Sequence, residues 1–116
     1  MPVHLSEAEF ETLVGDVLDA LPADMLDGLE NVAFVVEDEA EDGEDLFGRY
    51  DGVDLTQRDQ YGFGELPDRI IVFRLPHLEG AADLAALRAE VRTTLVHEIG
   101  HHYGLDDDRL HELGWA

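Results

Sequence analysis

Near its carboxyl end the chain reads "HEIGHHYGLDD", residues 97–107. His97, Glu98 and His101 form the pattern H-E-x-x-H. On a helix, residues four apart are separated by about 40° around the axis and ~6 Å along it. Two imidazoles at that spacing face the same way and converge on one zinc ion. Glu98 sits on the same turn, where it reaches a water at the ion rather than the ion itself and serves as general base. Zinc brings the pKa of such a water towards ~7. The carboxylate then has to accept the proton only as the water attacks a carbonyl.

A zinc ion that keeps one position open for chemistry needs a third protein ligand. After His101 the spacing is H-x-x-G-x-x-D. A left-handed residue at Gly104 breaks the helix and turns the chain, so the residue three further on can face the two histidines. That residue is Asp107, the favoured third ligand. Asp106 and Asp108 could bind if the turn differs, but capping a helix suits them better. His111 is a further candidate and fits better on a last helix. His102 should point away from the metal, into packing or a surface hydrogen bond. His4 and His77 have no evident partners. In a chain of this composition a bare H-E-x-x-H arises by chance in roughly 3% of cases. Requiring Gly104 and an acid at 107 lowers this to roughly one in two thousand, so the longer pattern carries the assignment. The bland alternative is a histidine-rich helix end favoured by the helix dipole.

The elements that position these residues are legible in outline. Ser6 and Glu9 form a capping box ahead of Phe10, Leu13, Val14, Val17, Leu18 and Leu21 at helical spacing. Pro22 ends that helix or opens a short turn over "ADMLDGL". Val32–Val36 is a predicted strand. "EDEAEDGED" reads as a solvated loop; as a calcium loop it would put Ala40 and Arg49 at ligand positions. The middle is irregular, with Gly48, Gly52, Gly62 and Gly64 as punctuation and Phe47, Tyr50, Tyr61 and Phe63 as buried anchors. A short strand is expected near Leu46–Tyr50. Ile70–Leu75 is the clearest strand, closed by Pro76, and "HLEGAAD" reads as a connection. From about Asp83 a long helix runs to Gly104. Leu84, Leu87, Val91 and Leu95 mark one face, and Val96, Ile99 and Tyr103 widen it. A last short helix with acids in its first turn follows. This order argues for an α+β fold.

Composition narrows the function classes. The chain has 116 residues, which fits one domain spanning 1–116. It has no cysteine, hence no disulfide framework and no thiolate metal site. No apolar run reaches ~20 residues, and the amino terminus shows no signal-peptide pattern, so the expected location is cytoplasmic, away from membranes. The net charge of −21, from 28 acidic and 7 basic residues, argues against nucleic acid as partner, because phosphate binding needs Lys and Arg. A homodimer would suit a domain this small, but no heptad marks one.

"HEIGHHYGLDD" resembles the metal-binding motif of the Asp-zincins, H-E-x-x-H-x-x-G-x-x-D. Together with "GRYDGVDLTQR", "LPDRIIVFR" and "VHEIGHHYGLDDDRLHELGW", the chain resembles the bacterial mini-zincins, small zincin-like metallopeptidases, over roughly residues 5–115. The resemblance implies a minimal zincin domain, a small twisted mixed sheet packed on helices. It also implies one zinc ion on His97, His101 and Asp107, with Glu98 as base, and a peptide or protein as substrate. The alternative is a catalytically inactive zincin-like interaction module that binds metal weakly or not at all.

The larger metzincins carry a methionine turn beneath the site. Here the only methionines are Met1 and Met25, both far upstream. Metal sites depend on their supporting shell, and Trp115 with Leu113 is the expected floor under the histidines, buried in either case. The developing oxyanion needs a positive group or donor. Zinc serves, and Tyr50, Tyr61, Tyr103 and Arg109 are candidate helpers. A substrate peptide could add to an exposed strand edge.

Overall fold

The computed structural model describes residues 3–29, 31–41, 46–52 and 68–115. Helix α1 spans Glu7–Asp19, and its capping box forms as the sequence indicates. The Ser6 hydroxyl accepts from the Glu9 amide at 3.1 Å, and the Glu9 carboxylate accepts from the Ser6 amide at 2.9 Å. Phe10, Leu13, Val14 and Val17 on its inner face are buried. Pro22 leads into a short helix α2, Ala23–Asp27, which buries Met25.

Three strands form one sheet among the described residues: β1 (Val32–Glu37), β2 (Gly48–Asp51) and β3 (Asp68–Phe73), in the order β1-β3-β2. β1 runs parallel to β3, with Val32 opposite Asp68 and Glu37 opposite Phe73. β2 runs antiparallel, with Gly48 opposite Val72 and Asp51 opposite Arg69. The sheet is therefore mixed and β3 is its centre. Alternation along a strand sends neighbours to opposite faces. Ile70 and Val72 join the main core, while Ile71 and Phe73 form a second cluster with Ala40. β2 answers to the short strand expected near Leu46–Tyr50. Phe47, expected as a buried anchor, is 44% exposed. Tyr61 and Phe63 lie outside the described residues.

The end of β3 corrects the sequence reading. The strand stops at Phe73, and Arg74–Gly80 is helix α3, where the sequence suggests strand to Leu75 and then a connection. Pro76 does not close a strand. It sits in the first turn of a helix, where a residue without an N–H loses no intrahelical bond. The Leu75 amide of the same turn is satisfied from outside, donating to the Asp38 carbonyl at 3.0 Å.

Helix α4, Leu84–Tyr103, carries the candidate site. Asp83 caps it, accepting from the Ala86 amide at 2.8 Å. Leu87, Val91, Leu95 and Ile99 are fully buried against α1 and the sheet, each burial being worth roughly 1.5–3 kcal/mol. That anchoring fixes the rotation of the helix, and with it the direction of His97 and His101. Leu84, expected on the same face, is 52% exposed, because it lies in the first turn. The helix ends as the sequence indicates. Gly104 has φ 73°, the Leu105 amide donates to the Gly100 carbonyl at 2.8 Å, and the Gly104 amide donates to the His101 carbonyl at 3.1 Å. This paired closure requires a left-handed residue at position 104. Helix α5, Asp107–Glu112, follows at once, capped by Asp106, which accepts from the Arg109 amide at 2.9 Å. The architecture is a small mixed sheet with helices, an α+β fold.

Candidate metal centre

His97, Glu98 and His101 project from the last turns of α4, and one donor atom from each lies within 4.8 Å of the others. The two imidazole rings are 4.6 Å apart between centroids. His101 Nδ1 is 3.0 Å from Glu98 Oε1. The turn at Gly104 brings the chain back, and Asp107 Oδ1 comes within 3.2 Å of His97 Nδ1. Asp107 thus meets the cluster through His97. Two zinc bonds of ~2.0–2.2 Å span up to about 4.4 Å, so the donor atoms of His97, Glu98 and His101, within 4.8 Å of one another, stand close to the separation that one ion requires. Two imidazoles with carboxylates are suitable zinc donors.

Glu98 differs from the histidines in exposure. Its side chain is 8% exposed, against 45% and 47% for His97 and His101. Burial raises its pKa above the ordinary carboxylate value, opposed by the nearby His97. A carboxylate desolvated in this way binds a proton more readily, which suits a general base.

The surroundings of Glu98 were not legible in the sequence. β2 runs alongside α4, and Gly48 faces it. A Cβ on Gly48 would lie 2.5 Å from Thr94 Cγ2 and 3.4 Å from Glu98 Cγ. Thr94 in turn meets His77, which is fully buried rather than partnerless. His77 Nδ1 donates to the Phe73 carbonyl at 3.0 Å, and its Nε2 accepts from the Thr94 hydroxyl at 2.9 Å. A carbonyl can only accept, so this pairing fixes the neutral tautomer. Desolvation lowers the His77 pKa in agreement, against smaller opposing contributions from Phe73 and Glu90.

His102 points away from the cluster, as expected, but into the interior and not to the surface. Its Nδ1 donates to Asp68 Oδ2 at 3.1 Å, and the Tyr50 hydroxyl donates to the same oxygen at 2.7 Å. This ties the last turn of α4 to the start of β3. His4 and His111 are exposed.

The expected floor is corrected. Leu113 is 41% exposed. Trp115 is half-buried against Tyr103, with ring centroids 5.7 Å apart, and its indole N–H donates to Asp24 at 3.3 Å. The residue under the metal helix is Leu110, 3% exposed. Its methyl carbons lie where a Cβ on Gly100 would meet them at 3.0 Å. Capping at Asp106 puts Leu110 one turn into α5, on the face turned to α4. Sequence reasoning picks Leu113 and misses Leu110, because only the docking of α5 on α4 tells the two apart. Of the candidate oxyanion helpers, Tyr103 donates to the Met25 carbonyl at 2.7 Å, Tyr50 is held by Asp68, and Arg109 pairs with Glu112 at 2.9 Å. Tyr61 lies outside the described residues.

Comparison with known proteins bears on this geometry. The sequence profile of the zincin-like metallopeptidases matches residues 29–115, which include the whole cluster. Among solved structures, a conserved hypothetical protein from Thermus thermophilus is similar at 25% identity and a TM-score of 0.55, over 94% of this chain and 97% of that one. No curated protein matches the chain. No described helix is long and apolar enough to cross a membrane.

Proposed function

Because the chain belongs to the zincin-like metallopeptidase family, we propose that it is a zinc-dependent peptidase. In this reading His97, His101 and Asp107 hold the ion, Glu98 is the general base, and residues 1–116 work as one domain. The observation that carries it is the convergence of His97, Glu98 and His101 within 4.8 Å, with Asp107 returned to His97 at 3.2 Å. With Asp107 as third ligand, the donors of this reading are those of the Asp-zincin motif. Zinc held there would polarise the scissile carbonyl and acidify a water.

The remaining chemistry belongs to the protein. Glu98 accepts a proton from the attacking water as its oxygen bonds to the carbonyl carbon. It then returns that proton to the amide nitrogen as the C–N bond breaks, so the carboxylate is regenerated. Burial raises its affinity for the proton, which favours the first of these steps. Gly48 and Thr94 wall it on the β2 side. The net charge of −21 favours a peptide or protein substrate over nucleic acid.

One observation favours a second reading, a non-catalytic zincin-like module. Tyr50, Tyr103 and Arg109 are all engaged elsewhere, so among the described candidates none is poised to help the oxyanion. Digestion of an unbiased peptide library by zinc-loaded wild type and by Glu98→Gln separates the two. Cleavage by wild type alone supports the peptidase. Equal cleavage removes Glu98 as base, and no cleavage by either, with zinc bound, leaves the module.

A further inference from the structure

Between α4 and α5, beside the metal cluster, lies a cavity of about 320 Å³. His97 and Asp107 both line it, so it adjoins the atoms that would act on a scissile bond. Val96 and Leu110, each 3% exposed, give it an apolar floor. Ligand pockets run from roughly 300 to 1,000 Å³; this one is at the low end, with room for one side chain rather than a length of peptide.

Arg92, on the wall of the cavity, decides the chemistry. The chain has 28 acidic residues and 7 basic ones, and an arginine in such a protein readily finds a carboxylate. Arg69, Arg74 and Arg109 each have one. Among the described residues neither Arg88 nor Arg92 has one; both are exposed, and of the two only Arg92 borders the cavity, its guanidinium open to an incoming group. The carboxylate of the cavity itself, Asp107, is turned to His97. A guanidinium offers a planar fork of donors matched to a carboxylate, and the apolar floor offers a surface for the stem that carries it. The overall negative charge opposes acidic ligands at long range. Screening over ~8 Å at physiological ionic strength leaves the adjacent guanidinium dominant at contact.

We propose that this cavity is a substrate subsite selecting a carboxylate on a short apolar stem, with the methylenes on Val96 and Leu110 and the carboxylate on Arg92. A glutamate side chain or the carboxyl end of a peptide supplies that group. The assignment as a substrate subsite rests on the peptidase reading above.

The test uses zinc-loaded Glu98→Gln protein, so that probes persist, and follows binding by NMR at the Val96 and Leu110 methyls. The probes are acetylated and amidated Ala-Glu-Ala, its Gln counterpart, and acetylated Ala-Ala-Ala with a free carboxylate. At least one carboxylate probe is expected to bind about tenfold tighter than the Gln peptide, and the one that does identifies the source of the group. Arg92→Ala should erase the preference, and Arg92→Glu should shift it to Ala-Lys-Ala. Equal binding of all three probes, or a preference that survives Arg92→Ala, overturns the proposal. Selective binding without cleavage by wild type would remove the peptidase and keep the carboxylate site; cleavage without selectivity would do the reverse.

Discussion

Gly48 and Glu98 face each other across the seam between β2 and α4, so closely that a methyl group on Gly48 would stand 3.4 Å from Glu98 Cγ and 2.5 Å from Thr94 Cγ2. Strand β2 thus helps to define the space around the proposed base. The seam is fixed by the antiparallel pairing of Gly48 with Val72, far from Glu98 in sequence.

Gly48→Ala is expected to destabilise the protein by about 1–3 kcal/mol, the usual cost of overpacking. It should also lower peptide cleavage more than zinc affinity, because the clash bears on Thr94 and Glu98 rather than on the histidines. Chemical denaturation, zinc titration and cleavage on the same samples check this. Unchanged stability would show that β2 moves away freely.

Leu110→Ala is expected to cost about 2–5 kcal/mol as a large-to-small change in the core. It should also weaken zinc binding, because Leu110 packs on Gly100 between the two histidines. Leu113→Ala, at an exposed site, should fall within about 0.5 kcal/mol of wild type. Comparable losses for the two leucines would return the floor to Leu113.

Glu98→Gln is expected to raise the stability of the zinc-free protein at neutral pH. The folded pKa of Glu98 is raised by burial, so the folded state holds the proton more tightly than the unfolded one. Its contribution to stability is therefore present in acid, below the ordinary carboxylate range, and is lost as pH rises through the folded value. The gain in melting temperature from Glu98→Gln should be clear at about pH 8 and vanish towards about pH 4. A gain independent of pH would show that ionisation is not its source.

Zinc is expected to raise the melting temperature of wild type in proportion to the logarithm of its excess, about 2.7 kcal/mol at 100 times the dissociation constant. A chelator should reverse the effect. Asp107→Ala should weaken zinc binding on the order of 100-fold or more, since even supporting partners of metal ligands contribute ~10–100-fold. Asp108→Ala should leave affinity unchanged. Equal affinities for wild type and Asp107→Ala would remove Asp107 as a ligand.

The local parts of the site were legible without a structure. Ser6 and Glu9 cap α1, Gly104 takes the left-handed turn, and Asp106 caps α5, because each feature is set by bonds within a few residues. The bend at Gly104 follows from the same local chemistry, and it carries Asp107 back to His97. Where a local signal had two meanings, the sequence misled. A proline is tolerated both after a strand and in the first turn of a helix; the sequence suggests Pro76 as the close of a strand, and the structure puts it in the first turn of α3.

What the chain encodes by itself is the spacing of His97, Glu98, His101 and Asp107, since helical pitch and one left-handed glycine bring them to one side. Tertiary structure decided what surrounds them. Only the packing of β2 on α4 makes Gly48 the neighbour of Glu98. Only the docking of α5 chooses Leu110 over Leu113 and opens the cavity at Arg92. Only the burial of His77 and His102 gives those rings their partners in Thr94 and Asp68. These contacts join residues 10 to 50 positions apart in sequence. Hydrophobic burial is non-directional, so a side chain's own chemistry demands a partner without naming it, and only the closed fold supplies one.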